Sequence, residues 1–95
     1  MIVRSVRLAP AAQYDIERLT SYLALRSERA AARAADVFTS AVLSLSEFSE
    51  RGRPAGDPGW RELIVRFGRG AYVIRYKVEG ETVFVTRIHH GREDR

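Results

Sequence analysis

The sequence predicts an α+β fold of order β-α-α-β-β-β, an antiparallel sheet with an N-terminal strand and an α-helical hairpin packed on one face. Three observations predict it. Apolar residues recur at three- and four-residue steps from about residue 10 to residue 49, the spacing of one helix face. The stretch RGRPAGDPGW then gathers Gly52, Pro54, Gly56, Pro58 and Gly59 and stops regular structure. Beyond it the period changes to two, the alternation of half-buried strands. The 95 residues suffice for one domain, residues 1–95, and leave no room for a second. With 45% apolar and 29% charged residues, the chain is expected to fold without staples.

The segment IVRSVRL alternates Ile2, Val6 and Leu8 with Arg4 and Arg7, a first strand. Pro10 suits the first turn of a helix, and Ala12, Ile16, Leu19 and Leu23 carry its apolar face to about Arg26, with Asp15 and Glu17 near the positive N-terminal end. Ser27 is the expected N-cap of a second helix, whose stripe Ala30, Ala34, Val37, Phe38, Ala41, Leu45 and Phe48 runs to about Ser49. So short a link makes the two helices an antiparallel hairpin. After the loop, Leu63, Val65 and Phe67 share a face, as do Tyr72, Ile74, Tyr76 and Val78, and TVFVTRIHH completes a three-stranded meander. Trp60 is expected to clamp the loop onto the core, and the Tyr and Phe stripe, Phe38, Phe48, Phe67, Tyr72 and Tyr76, is expected to be core.

The net charge of +4 is unevenly placed: residues 1–50 hold six Arg against six acids, and residues 51–95 hold nine Arg and one Lys against six. Arg favours planar, bidentate contact with phosphate or carboxylate. The absence of cysteine excludes disulfides and thiolate metal sites and fits a cytoplasmic protein. No run of apolar residues approaches the ~18 that span a bilayer, so no membrane contact is expected.

Alternation places Arg66, Arg75 and Lys77 on a sheet face that the helices leave bare, a basic contact surface joined by Arg87. His89 and His90 are consecutive on a strand and leave by opposite faces, so they cannot grip one metal; no metal and no cofactor are expected. The GRG of residues 68–70 makes a turn, because no helix follows to present its N-terminus to phosphate.

The segments LAPAAQYDIERLTSYL, RELIVRF, AYVIRYKV and VTRIHHGRED, in this order and spacing, resemble the RelE/ParE superfamily of bacterial toxins, and most closely its ParE-like branch of plasmid-stabilisation toxins. The resemblance covers nearly the whole chain. It implies the toxin of a type II toxin-antitoxin pair, held in a hetero-oligomer by a cognate antitoxin encoded next to it. The expected antitoxin contacts are Leu19, Tyr22, Leu23 and Trp60. Two branches differ in action. ParE-like members inhibit DNA gyrase without cleavage, and here Arg66, Arg75, Lys77, Arg87, His90 and Arg92 would bind the target. RelE-like members cut mRNA on the ribosome, and here His90, Arg66, Arg75 and Arg92 would then be catalytic. The arginine that such nucleases carry after the first tyrosine of AYVIRY is Val73 here, which favours gyrase inhibition. A non-toxic, antitoxin-binding family member is a third reading.

Overall fold

The computed structural model describes residues 2–92. Its elements are β1 (Ser5–Leu8), α1 (Pro10–Ala24), α2 (Glu28–Ser44), β2 (Arg53–Pro54), β3 (Trp60–Phe67), β4 (Gly70–Glu79) and β5 (Thr82–His90). Pro10 opens α1, where a missing N–H costs nothing. The Ser27 side chain accepts the Ala30 N–H at 3.1 Å and caps α2. The hairpin is therefore fixed at both ends of its link by the residues that the sequence marks.

Helix α2 stops at Ser44 rather than near Ser49, because the chain beyond it is tied to the N-terminal segment. The Arg4 N–H donates to the Ser46 carbonyl at 2.8 Å, and the Ser46 hydroxyl donates back to the Arg4 carbonyl at 2.7 Å. Phe48 consequently leaves the helical stripe and stands 55% exposed, which corrects its assignment to the core. Phe38, Tyr72 and Tyr76 are buried as expected, Phe67 partly so, and Phe38 meets Tyr72 edge-on at 4.9 Å.

The five strands order as β1-β5-β4-β3-β2. The meander β3, β4, β5 is antiparallel, and positive φ at Gly68 and Gly80 lets its two turns close tightly. By contrast β1 pairs β5 in parallel, Ser5 with Thr82 through Leu8 with Val85, so the sheet is mixed. One extra residue, Thr86, bulges between the pairs Tyr76–Val85 and Arg75–Arg87, and its hydroxyl donates to the Arg75 carbonyl. Without that bulge Ile88, which is fully buried, would be turned to the outer face.

Tyr76 joins the long loop to the core. Its buried hydroxyl donates to the Ser49 carbonyl at 2.8 Å and accepts the Gly52 N–H at 2.9 Å, and burial pushes the phenol above its ordinary pKa. A Cβ on Gly52 would lie 2.6 Å from that oxygen, so the position admits only glycine. Tyr76→Phe removes one oxygen and leaves both backbone groups unsatisfied. The expected cost is about 1–3 kcal/mol, or several degrees of melting temperature in a domain this small, measured by thermal and urea denaturation.

Candidate functional site

The first polar cluster holds the two layers together. Asp15 lies within the buried stripe of α1, fully shielded from solvent, with Ala12 and Leu19. Its carboxylate accepts the Arg87 Nε–H at 2.8 Å, the Arg87 Nη2–H at 3.2 Å and the Ile88 backbone N–H at 2.9 Å. Arg18, one helical turn on, adds a charge at 3.6 Å. Burial opposes ionisation, but the Arg87 hydrogen bond, the Ile88 N–H and the charges of Arg87 and Arg18 outweigh it and hold the carboxyl below its ordinary pKa.

Arg87 was expected to project with Arg66, Arg75 and Lys77 from the bare face. The register does set Arg87 opposite Arg75, but its guanidinium reaches Asp15 of α1 and is anchored there instead of projecting with the other three. The partner that draws it away lies 72 residues earlier in the chain.

On the face without helices, Trp60, Glu62, Ile64 and Arg66 of β3 stand beside Ala71, Val73, Arg75 and Lys77 of β4. Glu62, only 5% exposed, receives Arg53 at 3.4 Å and Arg75 at 3.7 Å. The Arg75 guanidinium lies 4.6 Å from the Trp60 ring centroid, and the Lys77 ammonium lies 5.6 Å from it. Lys77 also pairs with Glu79 at 2.9 Å. Trp60 therefore does not clamp the core with its ring. The loop is tied through backbone, by the Trp60 N–H to the Asp57 carbonyl and the Ala55 N–H to the Trp60 carbonyl. The roles of Glu62, which holds Arg53 and Arg75, and of Asp15, which holds Arg87, are what sequence reasoning missed.

His90 belongs to the opposite side. It pairs across the strands with Tyr72, whose ring it meets edge-on at 5.0 Å, whereas His89 pairs with Val73. His90 Nδ1 accepts the Arg92 N–H at 3.1 Å, which assigns the remaining ring proton to Nε2 in the neutral imidazole. The ring closes one end of a cleft of about 560 Å³, whose walls include Leu19, Tyr22 and Leu23 of α1, Phe67 and Tyr72 of the sheet, and Arg18, Arg26 and Arg69. Three of the four expected antitoxin contacts thus converge there, and Trp60 lies across the sheet from them.

The four residues proposed for cleavage are not brought together. His90 lies at the cleft end with the Arg92 N–H on its Nδ1, and Arg66 and Arg75 belong to the other face of the sheet. Position 73, where the nuclease branch carries arginine, is a valine 3% exposed on that other face. The tail residues Glu93 and Asp94, read as part of a charged ending, lie outside the described residues.

The family model described as "ParE toxin of type II toxin-antitoxin system, parDE" matches residues 6–95. The chain belongs to the ParE toxin family. Two relatives from Caulobacter vibrioides, both named RelE toxins, are similar over nearly the whole chain. "Toxin RelE1" is 45% identical over 91 residues, spanning 96% of this chain and 97% of that protein. "Toxin RelE3" is 38% identical over 93 residues, spanning 98% of this chain and all of that protein. The same fold occurs in the chromosomal ParDE system of P. aeruginosa, with TM-score 0.75 and 22% identity over 93% of this chain and 96% of that one. It recurs in the toxin-antitoxin complex RelBE2 of Mycobacterium tuberculosis, with TM-score 0.60 and 22% identity over 94% and 99%. Among the described residues of this ParE toxin, no helix is long and apolar enough to cross a membrane.

Asp15→Asn tests the layer lock. A carboxyl with a depressed folded pKa contributes stability that is fully present above its unfolded pKa, near 4, and lost as pH falls through the folded value. The substitution is expected to cost about 1.5–3 kcal/mol at pH 7, the worth of hydrogen bonds to a charged group. It should also flatten the acid-side fall in stability. Urea titrations at neutral pH and near pH 3 read both; an unchanged acid-side loss in the variant would remove Asp15 from the account.

Proposed function

We propose that this toxin arrests growth by binding DNA gyrase through its open sheet face, without cleaving RNA, and that a cognate antitoxin silences it at the apolar cleft. The observation that carries the reading is the separation of His90 from Arg66 and Arg75 by the sheet itself. In-line cleavage of RNA requires a proton acceptor, a proton donor and cations converging on one phosphate. No such convergence of the expected residues supports it, and His90 Nδ1 is already occupied by the Arg92 N–H. Arg66, Arg75 and Lys77 remain as target contacts on the open face; Arg87, tied to Asp15, shapes the edge of β5. His90 and Arg92 then serve the cleft side.

Ribosome-dependent mRNA cleavage is the second reading, favoured by the names of the two Caulobacter relatives, RelE1 and RelE3. Induced expression without antitoxin, followed by purified-gyrase and ribosome-dependent cleavage assays in parallel, separates the two. Accumulated cleaved DNA supports gyrase inhibition; mRNA cuts on the ribosome support the alternative. His90→Ala sharpens the result. A binding toxin loses about one hydrogen bond, at most roughly fivefold in potency, whereas a nuclease using this ring in acid-base work loses ~10²- to 10⁴-fold in rate. His89→Ala, on the other face, is the control, and the expected outcome is toxicity that survives both changes.

The antitoxin assignment has its own expected outcome. Tyr22 is 60% exposed on α1, so Tyr22→Glu should fold normally, changing stability by within ~0.5 kcal/mol. Placed at the cleft rim, the new charge should weaken neutralisation by the product of the adjacent gene while toxicity persists. Co-expression growth curves read this directly, and full neutralisation of the variant would move the antitoxin site elsewhere.

A further inference from the structure

The β3 end of the sheet is only partly finished. A two-residue turn makes Phe67 and Gly70 the closing pair of the β3–β4 hairpin, and this fixes the hydrogen-bond phase. Leu63, Val65 and Phe67 exchange their backbone groups with β4, whereas Glu62, Ile64 and Arg66 turn theirs outward. The Trp60 carbonyl is in the outward phase too, and it accepts the Ala55 N–H at 3.0 Å on that side. Strand β2 meets the edge only at Arg61 and Glu62. It goes no further because Gly52, the residue that would continue the pairing, gives its N–H to the Tyr76 hydroxyl. From Leu63 to Phe67, therefore, no strand among the described residues lies outside β3. Beside this stretch a groove of about 470 Å³ runs along α2 from Asp36 through Val37, Ser40 and Ala41 to Arg51, which donates to the Ser44 hydroxyl at 2.6 Å. Natural sheets usually protect so apolar and β-prone an edge with charge, proline or a covering element.

We propose that this free edge pairs with the same edge of a second copy of the chain, about a two-fold axis at Val65, joining the two sheets into one. Residues that turn their groups outward must pair with one another, so Ile64 stands opposite Arg66 of the second copy and Arg66 opposite its Ile64. The neighbouring registers fail. Pairing Ile64 with itself sets Arg66 against Glu62, whose edge β2 already occupies, and pairing Arg66 with itself sets like charges opposite. The axis at Val65 uses the whole free stretch: Leu63 faces Phe67, Val65 faces Val65, and the turn of each copy ends where β2 of the other begins. It also reverses the grooves. Asp36 lies toward the Phe67 end, where the cleft joins Phe67 to Leu23 and Arg26 just ahead of α2. Arg51 lies toward Glu62, because Arg61 binds the Gly52 carbonyl. Each Asp36 is thus brought toward the other copy's Arg51, a charge-complementary contact. The β1 edge suits itself less well: Val6 and Leu8 are its outward residues, and their reciprocal pairing sets Arg7 against Arg7. Five paired residues a side fall short of the ~20–30 of a standard interface, so the dimer is weak and forms as concentration rises. The inference is independent of gyrase inhibition and of the cleft.

The chain has no cysteine, so a single introduced thiol can bridge only two copies. Val65 would stand in a non-hydrogen-bonded pair with itself, where Cα atoms lie ~4.5 Å apart, within the span of a disulfide. Val65→Cys in the purified full chain is expected to give a disulfide-linked dimer on mild oxidation, whereas Ser21→Cys, exposed on α1, is not. Sedimentation velocity over a wide range of concentration should show the unmodified chain passing from monomer to dimer. Arg66→Pro removes an outward N–H and leaves the ladder to β4 intact, and Ile64→Lys sets a cation opposite Arg66; each is expected to weaken association roughly tenfold or more. Hydrogen exchange should slow roughly tenfold at the Ile64 and Arg66 amides as the dimer forms, with little change at Leu63 and Val65. Thermal denaturation checks that the variants fold, and Ile64→Lys carries the test if the proline variant does not. A chain that stays monomeric, a dimer that survives both edge substitutions, or Ser21→Cys bridging as readily as Val65→Cys overturns the proposal. So does protection of the Ile64 and Arg66 amides only when the product of the adjacent gene is added, which would assign the edge to the antitoxin.

Discussion

The placement of every surface discussed above depends on one buried carboxylate. Strand β1 ends at Leu8, opposite Val85, so the last residues of β5 have β4 on one side and no strand on the other. A buried sheet edge with unpaired N–H groups is unfavourable. Asp15 covers it by accepting the Ile88 N–H together with two donors of Arg87. A charge fully withdrawn from water is tolerated only when its hydrogen-bonding capacity is filled, as it is here. The same contacts fix α1 over β5, and α2 follows through the capped hairpin. With both helices committed to one face, the other face is left bare and the cleft opens where α1 overhangs the turn between β3 and β4.

This arrangement divides the functional residues by sheet face rather than by sequence proximity. His89 and His90 are neighbours in the chain, yet one side chain joins the Val73 side and the other the Tyr72 side. A Cβ on Gly70 would lie 2.8 Å from His90 Nε2, so the ring is packed against the start of β4 by the absence of a side chain there. That packing, with the Arg92 N–H on the other nitrogen, makes His90 a fixed wall of the cleft. Arg66 and Arg75, the cations expected to act with this ring on a phosphate, leave by the other face.

Much of the fold was legible because it rests on local rules. Ser27 reads as a cap, Pro10 as a first-turn residue, and the alternation of Leu63 to Phe67 and Tyr72 to Val78 as half-buried strands; each decides its own neighbourhood. The failures involve partners distant in sequence. Asp15 reads as a helix-terminus charge until Arg87 is brought beside it. Phe48 continues a helical stripe on paper, but Arg4 and Ser46 end the helix one turn earlier. Arg87 was assigned to the bare face by alternation, which could not include the docking of α1 against the bulged edge of β5. Glu62 alternates outward like any solvated acid, and nothing in its surroundings along the chain announces that Arg53 and Arg75 will enclose it. The cleft was half legible: Leu19, Tyr22 and Leu23 were singled out, whereas Arg18, Arg26, Arg69 and the turn that carries the last of them were not.

Glu62 is the observation that best supports the contact role proposed for the open face. A carboxylate 5% exposed on a face without helices pays a desolvation penalty that no core packing requires, since a solvated residue there would serve the sheet equally well. Its partners show what the penalty secures. Arg75 is held over the Trp60 ring, and Arg53 fastens the short β2 strand to the edge of β3. A long arginine side chain free in solution loses rotamer entropy when it binds, of order 0.5–1.5 kcal/mol per side chain. An arginine already restrained by a buried acid and an aromatic plane has lost much of that freedom on folding. Under the proposed contact role, the face would meet a partner with Arg75 and Trp60 already in position, and the stability given up at Glu62 would return as a smaller ordering cost at the moment of contact.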